Sequence, residues 1–565
     1  MKSSRRTFLK NTAAVTALLS ADSVLKPLNL FSRNTETANP LAIPSPFSGN
    51  SFTIEKKMNA VWPGAPLTET FSLTGNYPGP LLKIKKGEML SINVKNTIAD
   101  EVTIHWHGME LPSKMDGHPM DAIAPGGNFT YEYPIVNRAG TYFFHSHTHG
   151  KTAEQVFKGL AGMMIIEDDE EQALDLPRGE YDIPLLLQDL RFDANKQIDY
   201  NPTSLDRMVG YMGDTVMVNG TPNAFANVKR GLYRLRLINA SNSRVYRISF
   251  KDKRKFHIIA SDGGLLTKPV ETDVLMLATA ERYEILVDFS AYADGSSVML
   301  RSEEFEAPTH MGMDPDFPQG MPMDILRFDI NGEGVLKSIP QTLSQIERID
   351  PQTAKRVRTF ELDMATSMVH TINGVLYDMH RIDETVPFGE TEIWEFKNTE
   401  DDMLHPMHIH GVQFQIVSRN GNAEIPAHEQ GWKDTFLLYP SETVRVILKF
   451  DKYDGTYLMH CHNLEHEDDG MMINFTVDKT AGVDHPHFKE NISVHPNPCD
   501  QYAMLEFPAA HEERELRITN STGQIFFKKN IPAGSKSIQI LVWQIASGPY
   551  FCTIGRESTK LIIAR

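Results

Sequence analysis

Cysteine is scarce in this 565-residue chain. Only Cys461, Cys499 and Cys552 occur, too few for the disulfide framework of a small secreted scaffold. Basic charge is also in deficit. Fifty-six Lys and Arg stand against 73 Asp and Glu, a net charge of -17, which excludes the basic face that nucleic-acid binding needs. The acidic balance reads as a solubility feature. No apolar run reaches the length of a membrane-spanning helix, so no transmembrane anchor is expected. Apolar content of 41% with 9% aromatics points to soluble globular folding, and the length predicts three or four domains.

What is present is histidine in a pattern. With 21 histidines in the chain, chance places roughly one His-x-His pair, whereas six occur. His147/His149 and His485/His487 read as flank and linker. The other four pairs lie in apolar, Gly-bounded segments. They are His105-Trp106-His107-Gly108, His145-Ser146-His147, His408 and His410 within HPMHIHG from His405, and His460-Cys461-His462. The last pair continues through His466 and Met471 in the run HCHNLEHEDDGMM. In an extended strand side chains alternate, so His460 and His462 point one way and Cys461 the other. Thiolate and thioether suit Cu(I) and imidazole suits Cu(II). Cys461, a more distant His and a weak axial Met such as Met471 make most of an electron-transfer copper site. The two histidines on the opposite face can join a separate metal cluster. One tripeptide then links two centres covalently.

The N-terminus, with Arg5-Arg6-Thr7-Phe8-Leu9-Lys10 and a short apolar stretch at 12–20, reads as a twin-arginine export signal over 1–30. Residues 22–48 are expected to be irregular. From Phe52 the chain reads as short strands separated by Gly, Pro and Asn. LLKIKKGEMLSINVKNT makes two strands around a Lys-Gly-Glu turn, and NFTYEYPI alternates as a half-buried strand. The predicted domains are 48–169, 178–335 and 350–480, followed by a boundary near GVDHPHFKE (482–490) and a different module over 491–565. The middle block contains no His-x-His pair.

The four histidine segments resemble the copper motifs of the multicopper oxidases, and among them the bacterial copper efflux oxidases, a cuprous-oxidase and laccase-like branch. The similarity covers most of residues 50–478, including HGKTAEQVFKGLAGMMIIED and IIASDGGLLTKPV. It implies an all-β fold of three cupredoxin-like Greek-key sandwiches. Residues 491–565, with their HPNP opening, Gly-x-Tyr-Phe strand and short basic end, resemble the C-terminal sorting domain of the type IX secretion system, a small Ig-like β-sandwich. The implied export partners are the twin-arginine translocase and the type IX machinery. The implied destination is the periplasm, then the cell surface or exterior.

The resemblance also implies a ligand set for about four coppers per chain. Type 1 copper takes His405, Cys461, His466 and axial Met471. Type 2 takes His105 and His408. Type 3 takes His107, His145 and His462 on one ion and His147, His410 and His460 on the other. The reaction implied is one-electron oxidation of substrate, with transfer through Cys461 and reduction of dioxygen to water. Asp116 and Glu467 match the positions that deliver protons, and either could instead orient a ligand histidine. Met364, Asp401 and Met403 match a cuprous-ion site, so Cu(I) oxidation in copper tolerance is the first expectation, with laccase-type phenol oxidation as the alternative. A copper-storage or display protein is disfavoured because the full ligand set is present. The chain departs from the family twice: Val369 stands where a carboxylate is expected, and the long Met- and His-rich insertion is missing. A shortened cover of this kind could open the blue copper to phenols, which is what keeps the laccase alternative in view. The stretch from His310 to Met323, with Met311, Met313 and Met321, is a further Met-rich candidate for copper handling, weighed against plain packing.

Overall fold

The computed structural model describes residues 38–307, 316–365, 368–479 and, towards the C-terminus, 492–507, 509, 513–520, 524–543, 545–554 and 557–564. The twin-arginine segment, residues 310–313 and the 482–490 boundary lie outside the described residues.

The described residues fold into four successive pairs of β-sheets. In the first pair, the strands Met89–Asn96 and Asn128–Pro134 alternate exposed and buried residues and sit side by side in a four-stranded sheet. The facing sheet holds Ile104–His107 and Gly140–Ser146, whose residues are buried on both faces. One face of these strands packs in the sandwich core and the other carries histidines into an interface, so strict alternation is lost there. The same holds for His405–Ile409 and Gly455–Cys461 in the third pair of five-stranded sheets. Antiparallel register then does the assembly. His105 lies opposite His145, His408 opposite His460, and Met407 opposite Cys461.

The middle pair has six and seven strands around the largest apolar core. Contrary to the irregular reading of 22–48, Asn39–Pro40 is a short parallel edge strand on Ala224–Arg230. It forms because the Asn39 side chain donates to the carbonyl of Pro222 at 2.7 Å. Met323 is buried in this core and Met321 packs against it, so these two sulfurs are packing groups. The helix Ser204–Val209 is held by a capping box between Thr203 and Asp206, and it lies towards the copper-motif helix Leu464–Asp468.

The C-terminal module has a three-stranded and a four-stranded sheet with its own core, in which Cys499 and Cys552 are buried. Among the described residues no helix is long and apolar enough to cross a membrane.

Candidate metal centre

Cys461 ends its strand, and the chain turns at once into the helix Leu464–Asp468, which returns His466 to the thiol. Cys461 Sγ lies 3.5 Å from Nδ1 of His405 and 3.7 Å from Nδ1 of His466. Met471 is fully buried in the same core, and its carbonyl accepts from the Cys461 amide. The outer nitrogens of both rings face oxygen. Nε2 of His405 is 3.3 Å from a Glu400 carboxylate oxygen, and Nε2 of His466 is 2.9 Å from the Met208 carbonyl. Nε2–H therefore donates outward, and each Nδ1 lone pair faces the sulfur. Burial pushes the Cys461 thiol up, and a metal held there would have to displace its proton.

On the opposite face of the strand, His460 and His462 meet the other six histidines. Nε2 of His105 is 3.4 Å from Nε2 of His408. His145 and His462 meet at 3.3 Å, His147 and His460 at 3.3 Å, and His410 and His460 at 3.0 Å, all through Nε2. Carbonyl oxygens hold the outer nitrogens of several rings: Asp116 O for His105, Asp434 O for His408, Ser146 O for His145 and Cys461 O for His460. Each such acceptor requires Nδ1–H, which leaves the Nε2 lone pair pointing inward. His107 is reversed. Its Nε2 lies 3.1 Å from both Asp434 Oδ1 and Thr435 Oγ1, and its buried Nδ1 has no partner.

Burial holds seven of these imidazoles below their ordinary pKa, and repulsion between neighbouring rings lowers them further. His107, His145, His147, His408, His410 and His462 lie well below the usual range, and His460 falls to about 3. Eight buried imidazoles with convergent ring nitrogens fit metal ions and little else. His105, His107 and His145 form one potential ligand triad, and His147, His410 and His460 another. His405, Cys461 and His466 form a third.

Three carboxylates touch the cluster. Asp116 binds twice, its carbonyl taking His105 and its Oδ2 taking Nδ1 of His410 at 2.7 Å. Glu467 has its oxygens 3.4 Å from Nδ1 of His147 and 3.2 Å from Nδ1 of His460. Burial and then the neighbouring Asp468 push its carboxyl well above the usual range. The third, Asp434, gave no signal in the sequence. It is clamped by Arg282 of the middle block, whose two terminal nitrogens each donate to it at 2.6 Å.

The surroundings of the thiol site differ from expectation in two respects. Asp401 is exposed, and the inward carboxylate is Glu400. The physical reason is a turn in which Asn398 Oδ1 accepts from the Glu400 amide and Asn398 Nδ2 donates to the Met403 carbonyl, which rotates Glu400 inward. Nor is the site open. His405 and His466 are 0% and 1% exposed, and the His370 ring packs against both, with centroids 5.2 and 4.0 Å away. Met403 is buried and Met364 half-buried, in one cluster with Met208 and Met212 of the middle block. The sequence reading passed over His370 and Met208 because neither belongs to a metal-spaced motif.

Family models for multicopper oxidase match residues 56–171, 182–327 and 348–481, and one for a secretion system C-terminal sorting domain matches 493–564. The chain is 33% identical over 416 residues to a multicopper oxidase, mco, of Staphylococcus aureus, covering 73% of this chain and 85% of that protein. It is 32% identical over 496 residues to a bilirubin oxidase of Albifimbria verrucaria, covering 83% and 84%. It is also similar to the crystal structure of the McoA multicopper oxidase from Aquifex aeolicus, with 36% identity and a TM-score of 0.71. That match covers 78% of this chain and 100% of the other. The chain belongs to the multicopper oxidase family. It is an oxidoreductase whose family cofactor is copper, and it carries a C-terminal secretion-sorting domain.

Proposed function

We propose that this oxidase oxidises Cu(I) and passes the electrons to dioxygen. The observation that carries the reading is the roof of the thiol site. The type 1 rings are buried, while the side chains of Met208, Met212, Met364 and Met403 pack in one apolar cluster with Val209, Leu205 and Phe317, next to His370 and Glu400. Soft sulfur favours Cu(I) over Cu(II) and over phenols. Of the cuprous-site residues, Met364 and Met403 remain in the proposal and Glu400 takes the place of Asp401.

The proposed ligands are His405, Cys461, His466 and Met471 for type 1, and His105 and His408 for type 2. Type 3 takes His107, His145 and His462 on one side and His147, His410 and His460 on the other. Bound copper supplies reversible one-electron transfer at the thiolate and four-electron reduction of dioxygen to two waters at the histidine cluster. Cys461 joins the two sites, since its side chain faces one and its peptide neighbours His460 and His462 face the other. A hydrogen bond from His460 Nδ1 to the Cys461 carbonyl at 3.0 Å offers a second route. Glu467, kept protonated by burial, donates protons during oxygen reduction. Asp116 chiefly holds His105 and His410 in place.

Laccase-type oxidation of organic reductants is the second reading, favoured by the likeness to a bilirubin oxidase. Oxygen consumption with Cu(I) and with a phenol, on one copper-loaded sample, separates the two. Faster turnover of the phenol overturns the cuprous reading. We also propose export through the twin-arginine route, followed by sorting through the type IX machinery to the cell surface.

A further inference from the structure

The roof over the thiol site is keyed by one residue. His370 lies on the short strand His370–Ile372, directly opposite Met364 in the antiparallel strand Val357–Met364. The Ala365 amide is bonded to the Val369 carbonyl, and the strand places its first residue against the site. The His370 ring lies over His466 with centroids 4.0 Å apart and against His405 at 5.2 Å. Its Nδ1 is 2.9 Å from the same Glu400 oxygen that meets His405, and its Nε2 is 2.8 Å from the same Met208 carbonyl that meets His466. His370 thus shares one acceptor with each type 1 histidine and spans the gap between the hairpin of the third block and the helix Ser204–Val209 of the middle block. It is 3% exposed.

We infer that His370 is a specificity-determining wedge, resting on the cuprous reading above: it closes the ring edges of His405 and His466 to organic reductants and leaves the thioether cluster as the approach for electrons. A phenol that reaches an open imidazole edge loses one electron to the protein and its hydroxyl proton to solvent. Four such electrons, with four protons, reduce one dioxygen to two waters. With the wedge in place, the aromatic ring cannot come within van der Waals contact of either imidazole. A copper ion needs no such opening, because sulfur in the roof can carry it.

The test uses the copper-loaded full chain and its His370→Ala variant, with 2,6-dimethoxyphenol and Cu(I) as alternative reductants. Pulsed electron paramagnetic resonance after exchange into D2O reports deuterium near the type 1 copper independently of turnover. We expect kcat/KM for the phenol to rise at least roughly tenfold in the variant, with Cu(I) oxidation largely kept and new deuterium modulation at type 1. His370→Asn retains a donor for Glu400 but withdraws the ring from His466. It should show the same gain, and it decides the matter if the alanine variant does not fold. Unchanged phenol kinetics overturn the wedge, whether or not deuterium reaches the copper. If the wild-type protein already prefers the phenol, the cuprous reading falls separately, and the variant-to-wild-type ratio still judges His370.

Discussion

Asp434 places its carboxylate Oδ1 3.1 Å from Nε2 of His107, and this contact turns His107 the opposite way from the rings whose Nδ1 is held by carbonyls. The same residue's backbone carbonyl accepts from Nδ1 of His408 at 2.8 Å, so one residue orients histidines proposed for two different coppers. Asp434 is in turn fixed by Arg282, 152 residues away in the chain. Groups that orient ligand histidines typically change metal affinity by about 10–100-fold. Asp434→Asn should therefore weaken copper retention at the histidine cluster by roughly that factor, while the blue band stays. Arg282→Gln should move the same readouts in the same direction. Chelator titration with the type 3 absorption as readout checks both, and a loss confined to the blue band would contradict the assignment.

Cys461→Ser should remove the blue colour and the oxidase activity, because serine supplies no thiolate and interrupts the link between the sites. About three of about four coppers should remain, since the cluster histidines on the other face are untouched. Metal analysis together with the visible spectrum decides this. A wild-type protein that stays colourless after copper loading would remove the type 1 assignment altogether.

The thioether roof can be tested with nearly unchanged volume. Met364→Leu with Met403→Leu should fold, because Leu and Met are close in size. Cu(I) oxidation should fall at least roughly tenfold, equivalent to about 1.4 kcal/mol of transition-state stabilisation. Phenol oxidation should stay as it was. Equal losses on both reductants would indicate damage to the type 1 site itself.

Glu467 predicts a pH signature. Burial raises its carboxyl well above the ordinary carboxylate range, so it remains a proton donor at pH values where an exposed Glu has already ionised. Oxygen reduction should therefore decline as pH rises through this raised value, and not before. Glu467→Gln keeps the shape but has no acidic proton, so it should slow reoxidation of the reduced enzyme and abolish that alkaline limb. Reduction of the blue copper should be unaffected. Stopped-flow reoxidation across pH is the measurement. An unchanged profile would leave Glu467 with orientation alone, through His147 and His460.

Export has its own test. Arg5→Lys with Arg6→Lys should retain the precursor in the cytoplasm, and mature protein should lack residues from about 490 onward. Mass spectrometry of protein from the native host reads both ends. A mature periplasmic protein still ending at Arg565 would contradict the sorting proposal.

The gathering of the motif histidines and Cys461 was legible because its signal is local. Side chains in a strand alternate, so His460-Cys461-His462 must present sulfur to one face and imidazoles to the other whatever surrounds it. The sequence reading named Asp401 but not Glu400, the carboxylate that meets His405. Which of the two faces inward is set by the turn around Asn398, whose side chain bonds both the Glu400 amide and the Met403 carbonyl. The edge strand Asn39–Pro40 was missed because two residues have no period. They are held by the middle block, which the neighbouring sequence does not mention.

By itself the sequence determined the kind of metal, the two-faced copper tripeptide and the mostly β character of the chain. These follow from donor chemistry and from a period of two residues, both properties of short segments. Only the tertiary structure decided that the rings of the thiol site are buried, that a histidine outside every motif packs against them, and that an arginine from the block without His-x-His pairs clamps the carboxylate that meets His107. Contacts such as His370 with Met208, or Arg282 with Asp434, join segments more than 150 residues apart. Their partners are selected by how whole sandwiches pack, because a buried charge or ring nitrogen must find its acceptor wherever the packing puts one.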